Sequence, residues 1–410
     1  MIRHLSFENF CSFRDSGELA LTTGAKTPTD DSFTKSSCGD QVTVLAGVFG
    51  PNAAGKTNLL KLTAFLNFFI RHSYHHPVGD GDEIIPVDPF ATKADDPTRV
   101  EMEFEGNGRV YRYAATLTRK TVIEERLSLR NPETKSFRIV LKRQEGARGA
   151  LLTQDDDFTD LTAIRNLLKE RPNASMLSAG LVTGRQEFKK VMASLGTFET
   201  NVDRMGKAEV VHGNRTSEII RCGEYLRDNP HFVADIEARL KAADLGISGF
   251  HIKELEVLND KTGATQKIPV PYVVHRSGEA QFELPLTHES AGTKRLFVLL
   301  RTFLPVLTDG GMAVIDEMES DLHPHLIPIL LDLFVDPHTN PKRAQLLFTC
   351  HHMEILNLLA KEQIVFVEKD ADNVSQVRRL SEVKGVRREE NFFANYNAGR
   401  YEAVPEPERF

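Results

Sequence analysis

Residues 50–57 read GPNAAGKT and match the pattern G-x-x-x-x-G-K-[ST] in full. Glycines let the backbone approach phosphate oxygens closely, and the N–H groups at a helix start attract an anion. In such a loop the lysine reaches the β- and γ-phosphates of a nucleotide, and the hydroxyl ligates Mg²⁺. The residues expected to contact ATP are Gly50, Pro51, Asn52, Ala53, Ala54, Gly55, Lys56, Thr57 and Asn58.

Two adjacent carboxylates, Asp316 and Glu317, follow a short apolar run that is typical of a buried strand. In a phosphate-loop fold this strand lies beside the one that enters the loop. Asp316 is then expected to hold Mg²⁺ together with Thr57, and Glu317 to act as general base on the attacking water. A solvated acidic turn is the alternative for the pair alone, but the complete loop upstream favours the catalytic interpretation.

Three further segments stand in a fixed order around this pair. Ser290 and Gly292 begin a helical pattern before it, Asp321 follows it closely, and His351 ends another apolar strand pattern. Taken singly these residues have ordinary explanations, because serine caps many helices and a histidine at a strand end is usually structural. Their order along the chain is what gives them a second interpretation.

That order resembles the arrangement of ABC-type ATPases. The resemblance implies that Ser290 and Gly292 meet the γ-phosphate bound by a second copy, and that Asp321 contacts the partner subunit near both sites. It also implies that His351 is a switch histidine hydrogen-bonded to the γ-phosphate. His352 follows directly, and His351 is favoured because the family pattern F-T-x-H ends there. The expected catalytic set is therefore Lys56, Glu317 and His351.

The elements that must position these residues predict an α/β fold. An apolar, β-branched run over 42–49 predicts a buried strand, and apolar residues at helical spacing over 57–71 predict a helix. Alternation over 99–141 predicts an antiparallel sheet. We expect an ABC-type P-loop ATPase head with a strand-rich first lobe over 1–150, a helical insert over 151–245, and a C-terminal lobe with the remaining motifs over 246–410.

The amino-acid composition limits which partners and which cellular compartment are expected for the chain. The formal net charge is 51 − 58 = −7, so any nucleic-acid contact would need a local basic patch or a partner, and such contact stays open. The four cysteines form no C-x-x-C pair, which disfavours a structural zinc site and suggests a reducing cytoplasm. No run reaches 18 apolar residues, so no membrane partner is expected.

A closer resemblance is to the RloA-type ATPases, often labelled AAA-family ATPases, which are relatives of SMC and RecF proteins. The segments that carry it lie along most of the chain: residues 5–13, 50–60, 88–90, 100–104, 111–113, 289–296, 315–324, 384–387, 399–401 and 404–405. It implies a bacterial or phage-borne antiviral defence ATPase, similar to the AriA and PtuA ATPases, that pairs with a second copy and controls a separately encoded effector, a nuclease or a Toprim-like protein.

The sequence departs from that pattern in two places. No glutamine suits the Q-loop that normally follows the first lobe, and its substitute is sought near residues 88–90. No long coiled-coil arm is present either, so entrapment of DNA by arms is not expected. The alternative function is a RecF/SMC-like ATPase that acts on DNA in repair or recombination, and the head of a membrane transporter is the weakest interpretation.

Overall fold

The computed structural model describes residues 1–24, 27, 30–75, 84–145, 151–154, 158, 161–203, 206–207, 215–243, 246–258 and 265–401. The chain-end segment at 404–405 and the proposed junctions at 150 and 245 lie outside these residues. The strands in chain order are β1 (Ile2–Glu8), β2 (Gly17–Ala20), β3 (Thr22–Thr23), β4 (Phe33–Lys35), β5 (Gln41–Thr43), β6 (Leu45–Phe49), β7 (Thr98–Gly106), β8 (Arg109–Leu117), β9 (Val122–Arg130), β10 (Phe137–Gln144), β11 (Leu151–Gln154), β12 (Thr197–Thr200), β13 (Val202–Asp203), β14 (Gly206–Lys207), β15 (Ile247–Leu258), β16 (Thr265–Ser277), β17 (Ala280–Pro285), β18 (Gly311–Ile315), β19 (Gln345–Thr349), β20 (Ile364–Lys369) and β21 (Ser375–Arg379).

The helices alternate with strands mainly in the C-terminal half. They are α1 (Lys56–His72), α2 (Thr162–Glu170), α3 (Met176–Val182), α4 (Gln186–Leu195), α5 (Arg215–Asp228), α6 (Val233–Ala242), α7 (Ala291–Asp309), α8 (Leu326–Val335) and α9 (Phe392–Asn397). A short 3-10 helix, Met353–Leu358, follows β19. Within the described ranges, no helix combines the length and the apolar character needed to cross a bilayer.

The core sheet has the strand order β12-β18-β19-β6-β20-β21. Its first five strands run parallel, and β21 pairs antiparallel with β20. The expectation that the strand before Asp316 lies directly beside the strand that enters the phosphate loop is wrong, because β19 separates β18 from β6. Every residue of β6, β18 and β19 is buried, as expected of parallel strands covered on both faces. Because the carboxyl ends of parallel strands meet at one edge, the residues that follow β12, β18, β19 and β6 converge there.

The strand-rich first lobe is a seven-stranded antiparallel sheet of order β11-β10-β9-β8-β7-β1-β2. The antiparallel sheet predicted over 99–141 is present as β7 to β10, and β7 and β8 form a hairpin. Asn107 and Gly108 connect them with φ of 53° and 72°, the positive pair that a tight type I′ hairpin turn needs. The predicted α/β fold with a strand-rich first lobe is therefore confirmed.

A buried glutamine joins the two sheets. The Gln345 side chain of β19 accepts a hydrogen bond from the backbone N–H of Ile2 at 2.6 Å and donates to the carbonyl of Ile2 at 2.8 Å. Since a buried polar group is costly unless it is paired, this contact fixes β1 against the phosphate-loop sheet.

The segment predicted as a helical insert contains α2 to α6, but it also supplies a strand that the sequence did not predict. β12 pairs in parallel with β18 and forms one edge of the core sheet. The hairpin of β13 and β14 follows directly. Residues 197–200 thus belong to the core sheet, and 201–203 and 206–207 follow them near the carboxylate pair.

Candidate functional site

The loop between β6 and α1 requires its glycines for steric reasons. Gly50 has φ 143°, and a Cβ there would lie 2.0 Å from the carbonyl oxygen of Val367. Gly55 has φ 114°, and a Cβ there would lie 2.5 Å from the Ser375 hydroxyl. Both positions therefore exclude larger residues, and the loop keeps the tight course that phosphate binding needs.

Lys56 points back into its own loop. Its Nζ donates to the carbonyl oxygens of Gly50 and Pro51, each at 2.8 Å, and the residue is buried. Burial lowers the pKa of Lys56, while the carboxylates of Asp316 and Glu319 oppose that change. The ammonium group is thus held by weak neutral acceptors that a phosphate group can replace.

Thr57 and Asp316 meet at the predicted metal position. The Thr57 hydroxyl donates to Oδ2 of Asp316 at 2.8 Å, and the Thr349 hydroxyl donates to Oδ1 at 2.6 Å. Hydroxyl and carboxylate oxygens are the donors that Mg²⁺ prefers, and Mg²⁺ usually binds through one or two such protein groups plus substrate phosphates. The donor set of this pair fits Mg²⁺.

Asn201, which sequence reasoning did not single out, holds the backbone of Asp316. Its Nδ2 donates to the carbonyl of Asp316 at 2.9 Å, and its Oδ1 accepts from the N–H of Asp316 at 2.7 Å. It directly follows β12, at the same sheet edge as the phosphate loop. Asp88, near which a Q-loop substitute was sought, instead pairs with Arg119 at 2.9 Å and does not line the phosphate-loop pocket.

Glu317 sits in a left-handed backbone conformation with φ 47°, which points to a position fixed by its surroundings. Its N–H donates to the Thr349 hydroxyl at 2.7 Å, and its carbonyl accepts from Arg295 at 3.1 Å. Its carboxylate pairs with Lys207 Nζ at 2.5 Å and accepts from the Ser320 hydroxyl at 3.2 Å. The ion pair with Lys207 is the main cause that lowers the pKa of Glu317.

His351 lines the pocket that the phosphate loop forms with the carboxylate pair. The backbone N–H of His351 donates to Oε1 of Glu319 at 2.8 Å, and His351 is exposed to solvent. His352 does not line this pocket, and it directly precedes the 3-10 helix. Of the two adjacent histidines, His351 is thus the one that lines this pocket, and its role as the switch histidine stays a prediction.

The pocket itself has a volume of about 360 Å³. Loop residues, the carboxylate pair and the histidine share its walls: Asn52, Ala53, Ala54, Gly55, Lys56, Thr57, Asn58, Asp316, Glu317 and His351. Ser12, also missed in the sequence, braces the loop because its hydroxyl accepts from Asn58 at 2.8 Å and from Ser375 at 2.7 Å.

Ser290, Gly292 and Asp321 form a separate group outside this pocket. The Ser290 hydroxyl caps α7 by accepting from the N–H of Thr293 at 3.1 Å. A Cβ on Gly292 would lie 2.9 Å from the carbonyl oxygen of Asp321, so the two segments pack closely. Ser290 and Asp321 are both exposed. The chain thus does not bring these residues to its own phosphate loop.

The chain was compared with curated proteins, solved structures and protein-family models. Among curated proteins, none matches this sequence. The SMC head domain from Thermotoga maritima is 14% identical with a TM-score of 0.43, over 92% of this chain and 98% of that one. An SMC head bound to the C-winged helix domain of ScpA is 13% identical with a TM-score of 0.42, over 92% and 96%. Residues 45–357 match the family described as "AAA domain, putative AbiEii toxin, Type IV TA system". Since this match spans most of the chain, the protein belongs to that AAA-domain family.

Proposed function

We propose that this protein binds ATP with Mg²⁺, hydrolyses it, and completes its sites by pairing two copies. The observation that carries the proposal is the convergence of Lys56, Thr57, Asp316, Glu317 and His351 on one pocket at the carboxyl edge of the core sheet. Phosphoryl transfer depends mainly on positioning and on charge stabilisation, and these five side chains offer both.

The phosphates are held by groups already poised at the loop. Lys56 exchanges the carbonyls of Gly50 and Pro51 for the β- and γ-phosphates, because a charged acceptor makes a stronger hydrogen bond than a neutral one. Thr57 and Asp316 are the residues that would hold Mg²⁺, which neutralises charge on the phosphate oxygens. Asn201 keeps Asp316 in place for that purpose.

Glu317 is the base in the hydrolytic step. A water oxygen forms a bond to the γ-phosphorus while its proton passes to the Glu317 carboxylate. The bond between the γ-phosphorus and the bridging oxygen breaks, and ADP leaves with the electron pair. His351, which also lines the pocket, donates a hydrogen bond to the γ-phosphate. General-base assistance of this kind is worth about 10²- to 10⁴-fold in rate.

The position of the remaining predicted residues supports pairing. Ser290 and Gly292 lie at the start of α7 and, like Asp321, do not line the pocket of their own phosphate loop. A helix start offers N–H groups to an anion, so this surface suits a γ-phosphate presented by a second copy. Two ATP molecules at the interface would then stabilise the pair by mass action.

The test is the substitution Glu317→Gln. It removes the base but keeps the side-chain shape, so hydrolysis should slow about 100-fold or more while ATP stays bound. With ATP and Mg²⁺, light scattering should then report the mass of a pair. Exposed Glu279→Gln is the matched control and should hydrolyse ATP like the unmodified protein. A Glu317→Gln protein that stays monomeric with ATP bound would contradict pairing.

The biological role proposed is a cytoplasmic sensor or switch in antiviral defence that controls a separate nuclease or Toprim-like effector. The resemblance to RloA-type ATPases supports it, and so does the toxin–antitoxin wording of the family description. Protection from phage that requires a neighbouring effector gene is the expected result. Salt-sensitive binding of DNA by the purified protein, without any protection, would favour the RecF/SMC-like alternative.

A further inference from the structure

The hairpin of β13 and β14 lies on the first turns of α1. A Cβ on Gly206 would be 3.6 Å from Cγ2 of Thr57 and 3.7 Å from Cε of Lys61. The same hairpin begins directly after Asn201, the residue that clamps Asp316. The next residue, Lys207, is thus held beside the phosphate loop by two independent contacts of its segment.

Lys207 reaches the proposed catalytic base from this position. Its Nζ lies 2.5 Å from Oε2 of Glu317 and 2.9 Å from the hydroxyl of Ser320. The Lys207 side chain is 26% exposed and the Glu317 side chain 42% exposed. The ion pair is therefore partly open to solvent rather than enclosed in the protein interior, and its carboxylate partner Glu317 lines the pocket.

Lys207 can readily exchange the Glu317 carboxylate for another anion, because their ion pair is partly exposed. Partly exposed pairs contribute little net stability, because water competes for both partners. A terminal phosphate carries more negative charge than one carboxylate and presents several acceptor oxygens, so it attracts an ammonium group more strongly. Lysine is also flexible enough to move between two acceptors a few ångströms apart.

We propose that Lys207 is an additional ATP-binding residue that leaves Glu317 and contacts the γ-phosphate when ATP enters the loop. This inference rests on the proposed ATPase function. The terminal phosphate is the one concerned, because Lys207 contacts the side chain that stands next to the attacked phosphorus. The exchange also releases Glu317 from its cation at the moment when it must accept a proton. The phosphate-binding site thereby gains a cation from its own chain, since Lys207 belongs to the hairpin that follows β12.

The experiment compares ATP and ADP affinity, measured by calorimetry with Mg²⁺, for the unmodified protein and for Lys207→Ala. Loss of one charge-assisted contact should weaken ATP binding about 10- to 100-fold. ADP lacks the γ-phosphate, so its affinity should stay within about twofold. Lys207→Arg should retain most of the ATP affinity. Lys241→Ala is the matched control, because Lys241 pairs with Glu237 at 2.6 Å on α6, away from the pocket.

A second comparison separates direct contact from charge compensation. In the Glu317→Gln background, Lys207→Ala should still weaken ATP binding if the lysine touches the phosphate. If the loss disappears in that background, Lys207 acts only by neutralising Glu317, and the proposal is wrong. Equal losses for ATP and ADP would also overturn it, as would unchanged ATP affinity with faster hydrolysis. Failure of the unmodified protein to bind ATP would instead refute the proposed function, and this role with it.

Discussion

Two carboxylates of this protein are paired with cations in opposite settings. Glu125 of β9 is fully buried beside Arg143, with side-chain exposures of 0% and 2%. It accepts hydrogen bonds from the Tyr113 hydroxyl at 2.8 Å, the Ser175 hydroxyl at 2.5 Å and the N–H of Met176 at 2.9 Å. Burial raises the pKa of Glu125 despite these donors.

Glu317 has fewer donors and a more exposed cation. Lys207 lowers the pKa of Glu317, whereas burial dominates at Glu125. Both carboxylates are electrostatically perturbed, yet only Glu317 lines a pocket that has room for a ligand. Perturbation alone therefore does not distinguish a functional carboxylate from a structural one. The proposed difference is that Glu317 has access to the pocket and that its cation, Lys207, can move to another acceptor.

The largest expected effect is on folding. Glu125→Ala leaves Arg143 buried without its carboxylate, which should lower the free energy of unfolding by about 3–5 kcal/mol. Glu317→Ala should lower it by less than about 1 kcal/mol, because that ion pair is partly exposed. Urea unfolding of both variants measures the difference. Equal losses would mean that the two carboxylates have the same structural role.

The next effect is on nucleotide binding. Lys56→Ala removes the cation from the phosphate loop and should abolish measurable ATP binding, a loss of about 100-fold or more in affinity. The free energy of unfolding should change little, because the cost of burying the ammonium group offsets its hydrogen bonds to the carbonyls of Gly50 and Pro51. Calorimetric titration with ATP tests this expectation. Unchanged affinity would show that the phosphates bind elsewhere.

A smaller effect is expected at the residue that positions Asp316. Asn201→Ala removes the two hydrogen bonds that the Asn201 side chain makes with the backbone of Asp316, each worth about 1 kcal/mol. The Mg²⁺ concentration needed for half-maximal ATP hydrolysis should rise several-fold, while ATP binding without Mg²⁺ should remain unchanged. Asn173→Ala, on a segment near Glu125 rather than the pocket, is a control. An unaltered Mg²⁺ requirement would leave Asn201 with a purely structural role.

The smallest expected effect is a change in how the free energy of unfolding depends on pH. Glu125 has a folded pKa above its ordinary value of 4.5, so the folded protein binds its proton more tightly than the unfolded chain does. Stability should therefore fall as the pH rises above 4.5, through the folded pKa. Glu125→Gln should flatten that slope in urea unfolding. Glu317→Gln should leave it unaltered, since the lowered pKa of Glu317 acts only below 4.5.

The residues that the sequence identified belong to contiguous motifs at the ends of strongly apolar strands. The phosphate loop follows β6, Asp316 and Glu317 follow β18, and His351 stands two residues after the end of β19. Each motif has a recognisable set of residue types. The strand before it is buried on both faces, so it appears in the sequence as a continuous apolar run. Their meeting at one sheet edge then follows from the parallel order of the strands. The roles assigned to them remain predictions.

Asn201 and Lys207 could not be found in this way. β12 reads Thr-Phe-Glu-Thr, and all four of its residues are only partly buried because it is an edge strand. It lacks the apolar run that would mark a core strand. Its importance comes from pairing with β18, more than a hundred residues later in the chain, and such long-range contacts leave no local pattern. Ser12 was missed for the same reason, since it meets Ser375 across most of the chain.

Helix α7 has one more consequence for a paired protein. Ser290 begins this 19-residue helix, Arg295 in its second turn donates to the Glu317 carbonyl at 3.1 Å, and Arg301 donates to Glu199 of β12 at 2.8 Å. Helix α7 therefore links the surface proposed to meet a second copy with two parts of the chain's own site, Glu317 and β12. Displacement at Ser290 would shift Glu317 and β12 together. The two sites of a pair would then be cooperative, and reciprocally so, although no residue spans from one phosphate to the other.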